Sequence, residues 1–174
     1  GDHYLQRSIT LAANAPVSFG YYVMANGRSN VFLTVYANGY SDLIQGNFNL
    51  STGVVTSVLN GGTGSGATAS MQNLGAGLWL LTISGTPSTA AVTDCKPRVQ
   101  LINGGATYQG DGASGIHIWG GQFEAGAFPT SYIPTFGTAA TRAADQASMT
   151  GANFTSWYNQ AAGTFALDTP VWGP

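Results

Sequence analysis

Residues 17–39 read VSFGYYVMANGRSNVFLTVYANG. Two stretches here alternate with a period of two, and each ends in an Asn-Gly pair, Asn26-Gly27 and Asn38-Gly39. Period-two alternation sends successive side chains to opposite faces of a sheet. Asn-Gly favours the positive φ that tight hairpin turns need. Over 30–39, Val31, Leu33 and Val35 share one face, and Phe32, Thr34 and Tyr36 the other. Over 17–27, Phe19, Tyr21 and Val23 oppose Gly20, Tyr22 and Met24. One side of each strand is thus aliphatic and predicted to be core.

The same pattern continues in both directions. RSITLAA (7–13), LIQGNFNLSTG (43–53), VVTSVL (54–59), ATASMQNLG (67–75), GLWLLTISG (77–85), RVQLING (98–104) and GIHIWGGQFE (115–124) are predicted strands. NGGTGSG (60–66) reads as a flexible loop, and 104–115 as a long glycine-rich one. Short strands between turn clusters, with no helical periodicity, predict an all-β, antiparallel β-sandwich. Trp79, Leu81, Ile83, Val99, Leu101, Ile116 and Ile118 fall on the apolar face, which sends His117 and Trp119 to the other. The opposite face mixes rings with polar groups: Tyr22, Phe32, Tyr36, Arg98, Gln100, His117 and Trp119.

Composition removes several function classes. Of 174 residues only 7% are charged, against 44% hydrophobic, and the net charge is −2 with five Lys and Arg in all. Nucleic-acid binding needs a basic stripe to displace phosphate counterions, and none exists. No apolar run approaches the ~20 residues that span a bilayer. Cys95 is the single cysteine, which excludes an internal disulfide and a cysteine metal site. It is expected to be a small packed thiol.

After Glu124 the character changes. Pro129 and Pro134 remove ladder donors and favour extended or turn geometry. Residues 1–126 are therefore predicted to be one sandwich domain, and 127–150 an extended C-terminal strap anchored by Phe128, Tyr132 and Ile133. Within 151–174, GTFALD (163–168) reads as one more possible strand, too short to fold alone.

The stretch from Ile116 onward has a pattern of its own. Ile116, Ile118, Trp119, Gly120, Gln122, Glu124 and Gly126 lead into Pro129-Thr130-Ser131-Tyr132-Ile133-Pro134-Thr135, and Arg142 to Asp145 follow. This resembles a module of tailed-bacteriophage and prophage structural proteins that is similar to jelly-roll carbohydrate-binding modules. In that family the motif precedes a laminin-G-like or concanavalin-like sandwich, so the resemblance implies that 151–174 is the start of a second β domain, cut to about its first strand. FNLSTGVV (48–55) and LGAGLWLLTIS (74–84) are similar to its upstream segments. The resemblance implies a jelly-roll type of sandwich, a virion setting with assembly in the bacterial cytoplasm, and glycans or other virion proteins as partners. A homotrimer is the expectation for a fibre protein in that setting. Related jelly rolls often hold a structural calcium, for which Asp2, Asp111 and Glu124 are the available carboxylates. Calcium takes six to eight oxygens and no D-x-D-x-D cluster occurs, so no metal is expected.

Trp119 is the sharpest candidate, because C–H bonds of a sugar face stack on its electron-rich ring. Tyr22, Tyr36, Arg98, Gln100 and His117 would hydrogen-bond the hydroxyls if their strands lie adjacent. The competing reading packs Trp119 beneath the strap, and Tyr22 and Tyr36 in cross-strand pairs. Glu124 lacks the second carboxylate a glycosidase needs, since Gln122 cannot ionise. Both are expected to bond strap backbone. No Ser-His-Asp constellation stands out. The expected function is non-enzymatic: glycan binding by a tail-fibre, tailspike or head module. The alternative is a purely structural decoration or adaptor protein, docking through the strand potential of 163–174.

Overall fold

The computed structural model describes residues 1–135 and 137–141. It contains ten strands among them: β1 (Tyr4–Gln6), β2 (Ile9–Leu11), β3 (Val17–Asn26), β4 (Asn30–Ala37), β5 (Asp42–Asn49), β6 (Val54–Gly61), β7 (Ser65–Asn73), β8 (Leu78–Thr86), β9 (Val92–Ile102) and β10 (Gly115–Ala125). They form two antiparallel sheets packed face to face. One has the order β1-β9-β4-β5-β6, with β2 also on β9, and the other β10-β3-β8-β7. The β-sandwich expected from the alternation is the fold. Among the described residues no helix is long and apolar enough to cross a membrane. The expected second β domain at 151–174 lies outside the described residues, as does the strap beyond 141.

The core is the aliphatic side of the alternation. Val31, Leu33, Val35 and Ile44 from the six-stranded sheet cluster with Phe19, Val23, Leu81 and Ile83 from the other, all buried. Gly46 points into this layer, where a Cβ would stand 2.6 Å from Ile83 and 2.8 Å from Ala69. Its missing side chain lets the second sheet close over β5. Cys95 is buried as expected, and burial pushes its thiol up to about 11, which leaves it inert as a nucleophile.

Four expectations change. Asn26-Gly27 closes no hairpin: β3 pairs with β8 and β10, while β4 pairs with β5 and β9. That turn carries the chain from one sheet to the other, whereas Asn38-Gly39 does join paired strands, β4 and β5. Strand β9 starts at Val92, well before Arg98, and runs through Pro97. In an antiparallel strand a residue's N–H and C=O point to the same neighbour. The Pro97 carbonyl accepts from the Arg7 N–H, 3.4 Å away, so the missing donor falls in the gap between β1 and β2. Ile118 is 36% exposed, because β10 is an edge strand and the core ends beneath it.

The fourth is 60–66, which is no flexible loop. Strands β6 and β7 take up both ends and leave a short turn. Buried Asp42 pins it, accepting from Thr63 N (3.0 Å), Thr63 Oγ1 (2.8 Å) and, across the β8–β9 connection, Ser88 Oγ (2.9 Å). The backbone bond from Thr63, then the Thr63 and Ser88 hydroxyls, hold this carboxyl below its ordinary 3.8. A depressed folded value means the stabilisation is present above the ordinary value and is lost as pH falls through the folded one. Asp42→Asn is therefore expected to lower the Tm at neutral pH. It should also flatten the fall in stability between about pH 4 and pH 2, read by thermal melts across that range.

Candidate functional site

Strand β10 decides what the outer face of the four-stranded sheet displays. Trp119 stands opposite Tyr22, but Gln122 stands opposite Gly20, so three steps on β10 match two on β3. The extra residue is a β-bulge at Gly120-Gly121, which reverses side-chain parity along the strand. Both glycines are required. Gly120 has φ +58, and a Cβ there would stand 2.8 Å from the Tyr22 ring; at Gly121 it would stand 2.4 Å from the Tyr21 ring. Beyond the bulge Gln122 and Glu124 face outward with Trp119, while Phe123 turns inward onto Phe19, ring centroids 6.2 Å apart.

Gln122 and Glu124 hold the strap, as their position before Pro129 predicts. Gln122 Oε1 accepts from the Ile133 N–H at 2.7 Å, and its Nε2 donates to the carbonyls of Thr130 and Ser131 at 3.4 Å. The Glu124 carboxylate accepts from Thr130 N–H (3.2 Å) and Thr130 Oγ1 (2.8 Å), and from Gln122 Nε2. Tyr132 and Ile133 are half-buried, but Phe128 is 83% exposed and is no anchor. The strap lies beside Trp119 rather than over it. Trp119 is 61% exposed, in a ring trio with Tyr22 (4.8 Å) and Tyr132 (4.8 Å), which are themselves 6.1 Å apart at right angles. Each such pair is worth roughly 0.5–1.5 kcal/mol beyond area burial. His117 is exposed on the same face, opposite Met24. Between Gly20, Leu80 and Thr82 below and Pro129–Tyr132 above lies a cleft of about 140 Å³. Ser18 lines it, and its buried Oγ has no partner.

The other predicted site residues are elsewhere. Tyr36, Arg98 and Gln100 lie on β4 and β9, on the outer face of the six-stranded sheet, across the core from Trp119. The single mixed face expected from the sequence is thus two faces. On the second, Gln6, Arg98, Thr34 and Gln45 form one cross-strand row. Thr34, Gln45, Arg98 and Gln100 are all under one-tenth exposed, which is unusual for polar groups on an outward sheet face. From Thr34 the bonding runs on across the sheet: Thr34 Oγ1 donates to Gln45 Oε1 (3.2 Å), Gln45 Nε2 to Asn47 Oδ1 (2.7 Å), and Asn47 Nδ2 to Ser57 Oγ (2.5 Å). Gln100 Nε2 donates to the Ala106 carbonyl at 3.3 Å.

Arg98 is the centre of this face. Its guanidinium lies 4.0 Å from the Tyr4 ring centre, 4.8 Å from Tyr36 and 5.2 Å from Tyr40, and donates twice to Gln6 Oε1. Lys96, paired with Asp94, lies 4.5 Å over the Tyr40 ring. The Gln6 hydrogen bond, with the Lys96 and Arg98 charges behind it, draws the Tyr40 phenol below its ordinary value. Tyr4, Gln6 and Tyr40 were missed at the sequence level. Tyr40 carried a signal, since it follows an Asn-Gly turn; Tyr4 and Gln6 lie in a strand too short to show alternation.

The three carboxylates considered for calcium lie apart. Asp2 accepts from Thr107 Oγ1. Asp111 caps the turn at Ala113 N (3.0 Å) and Ser114 N (2.7 Å) and pairs with Arg28 at 2.9 Å. Glu124 serves the strap. Among the described residues no three His, Cys, Asp or Glu side chains converge.

The latch is testable by hydrogen exchange. Gln122→Ala removes the acceptor of the Ile133 amide and is expected to speed its exchange about tenfold or more, with the Tm nearly unchanged. An unchanged Ile133 rate would show that the strap is held without Gln122.

No protein-family model matches the chain, and no curated protein does.

Proposed function

We propose that this chain is a non-enzymatic, glycan-binding module of a bacteriophage virion, a sandwich of the jelly-roll type carried on a tail fibre, tailspike or head. The observation that carries the reading is Trp119. An indole on an edge strand, 61% exposed and held by Tyr22 and Tyr132, offers a flat apolar face in a fixed orientation. Sugars stack on such a face through their C–H bonds, and polar neighbours fix the hydroxyls. His117 flanks the ring on its own strand. The resemblance of Ile116–Thr135 to phage modules supplies the virion setting. Among the described residues the one carboxylate on this face, Glu124, is engaged by the strap, which favours binding over hydrolysis. An open platform of this kind binds weakly, so several copies on one particle supply useful affinity.

A second reading, a structural decoration or adaptor protein, is favoured by one feature. Phe128 and Trp119 are both exposed, on the strap and the edge strand it is latched to, and large exposed rings of this kind suit a protein partner. A glycan array separates the two. The parent displayed in multiple copies is expected to give a specific signal. Trp119→Ala, shown to be folded by circular dichroism, should weaken it by up to about tenfold, the worth of one stacking ring. Silence from the folded, multivalent parent moves the assignment to the structural reading.

A further inference from the structure

We infer that the Arg98 cluster, on the face opposite Trp119, is a second binding site, and that it takes the carboxylate of an acidic sugar residue. Three observations converge on it. Arg98 is 8% exposed, yet the two ion pairs of the described residues are Arg28–Asp111 and Lys96–Asp94. A guanidinium withdrawn from water without a counter-charge is costly unless an anion compensates it. Its hydrogen bonds both end on one neutral oxygen, Gln6 Oε1, from Nε and Nη2. Nη1 is unbonded, and it is absent from the buried unpartnered atoms, which are Ser18 Oγ and Arg28 Nε. It therefore reaches solvent with donors to spare.

The second observation is backbone strain. Asn38, Gly39 and Tyr40 have φ of +48, +65 and +77 in succession. Asn and Gly adopt this region readily, but a bulky ring there is a genuine outlier. Strain of this kind persists where surrounding structure enforces it, and it clusters at ligand sites. Here it aims the Tyr40 ring at Arg98 and Lys96. The third is shape and chemistry. Tyr4 and Tyr40 are 45% and 43% exposed on either side of the cation, so each offers ring surface beside the free N–H groups. The buried polar row through Thr34 and Gln45 continues from Arg98 across the sheet. A carboxylate alone would use only the cation. A pyranose bearing one uses the cation and the exposed rings together, and guanidinium donors match carboxylate oxygens in geometry.

The test is a titration followed by the backbone amide NMR signals of Thr34 and Gln100, with D-glucuronate, D-glucose, acetate and inorganic phosphate as separate probes. Saturable shifts are expected from glucuronate, and none from glucose. Acetate should bind more weakly than glucuronate by about tenfold, for want of a ring. Arg98→Lys keeps the charge but loses the fork, and should weaken glucuronate about tenfold. Tyr40→Gly removes the ring at a φ that glycine adopts without strain, a relief that offsets part of the lost ring contacts, so it should still fold and yet lose affinity. The inference is overturned if glucuronate gives no saturable shift, if acetate or glucose matches it, if phosphate outcompetes it, or if folded Tyr40→Gly binds as the parent does. Because the cluster lies across the core from Trp119, these outcomes are independent of the glycan array.

Discussion

The parity change at Gly120-Gly121 is the constraint on which the displayed surface depends. Without the extra residue, Trp119 outward would force Gln122 and Glu124 inward and turn Phe123 out to water. A carboxylate would then enter the apolar layer occupied by Phe19 and its neighbours, at a cost of several kcal/mol. With the bulge, Phe123 packs on Phe19 and Glu124 reaches the strap. The two glycines are there because the Tyr22 and Tyr21 rings occupy the space their side chains would need. One inserted residue thus satisfies the core, the latch and the exposed indole together.

The chain has few charges, and each carboxylate described is used locally. Asp42 ties a turn and the β8–β9 connection to β5, Asp111 caps a loop and pairs Arg28, and Glu124 latches the strap. Against that background Arg98 stands out, since its charge meets rings and an amide rather than a carboxylate. Cation–π contact in a partly desolvated setting contributes on the order of 1–2 kcal/mol, which offsets part of the burial penalty and leaves the charge available to an anion.

The aliphatic faces of β3, β4 and β8 were legible because each strand reports its own parity: Val31, Leu33, Val35, Leu81 and Ile83 all lie in the core. So was the bonding of Gln122 and Glu124 to the strap. What alternation cannot report is which sheet a strand joins. His117 and Trp119 share the mixed parity of Tyr36, Arg98 and Gln100, and a single face was the natural reading. The long-range pairing of β10 with β3, and of β9 with β4, puts them on opposite sides. Asn26-Gly27 misled for the same reason, since positive φ serves a crossing between sheets as well as a hairpin. The start of β9 ahead of Arg98 was not legible, because only the neighbouring strands reveal that the missing donor of Pro97 faces a gap.

Among the described residues, the strap at 129–133 is attached differently from the strands. Strands are joined by backbone ladders, whereas Thr130 and Ile133 are held by two side chains, Gln122 and Glu124, and by Tyr132 against the indole. Side-chain bonds at a partly exposed surface open more readily than a buried backbone ladder. Tyr132 belongs at once to the strap and to the trio that orients Trp119, so indole and strap share one contact surface. A ligand that stacks on Trp119 and also touches Tyr132 favours the latched strap. By reciprocity a latched strap favours that ligand, so loosening Gln122 weakens a platform it does not itself touch.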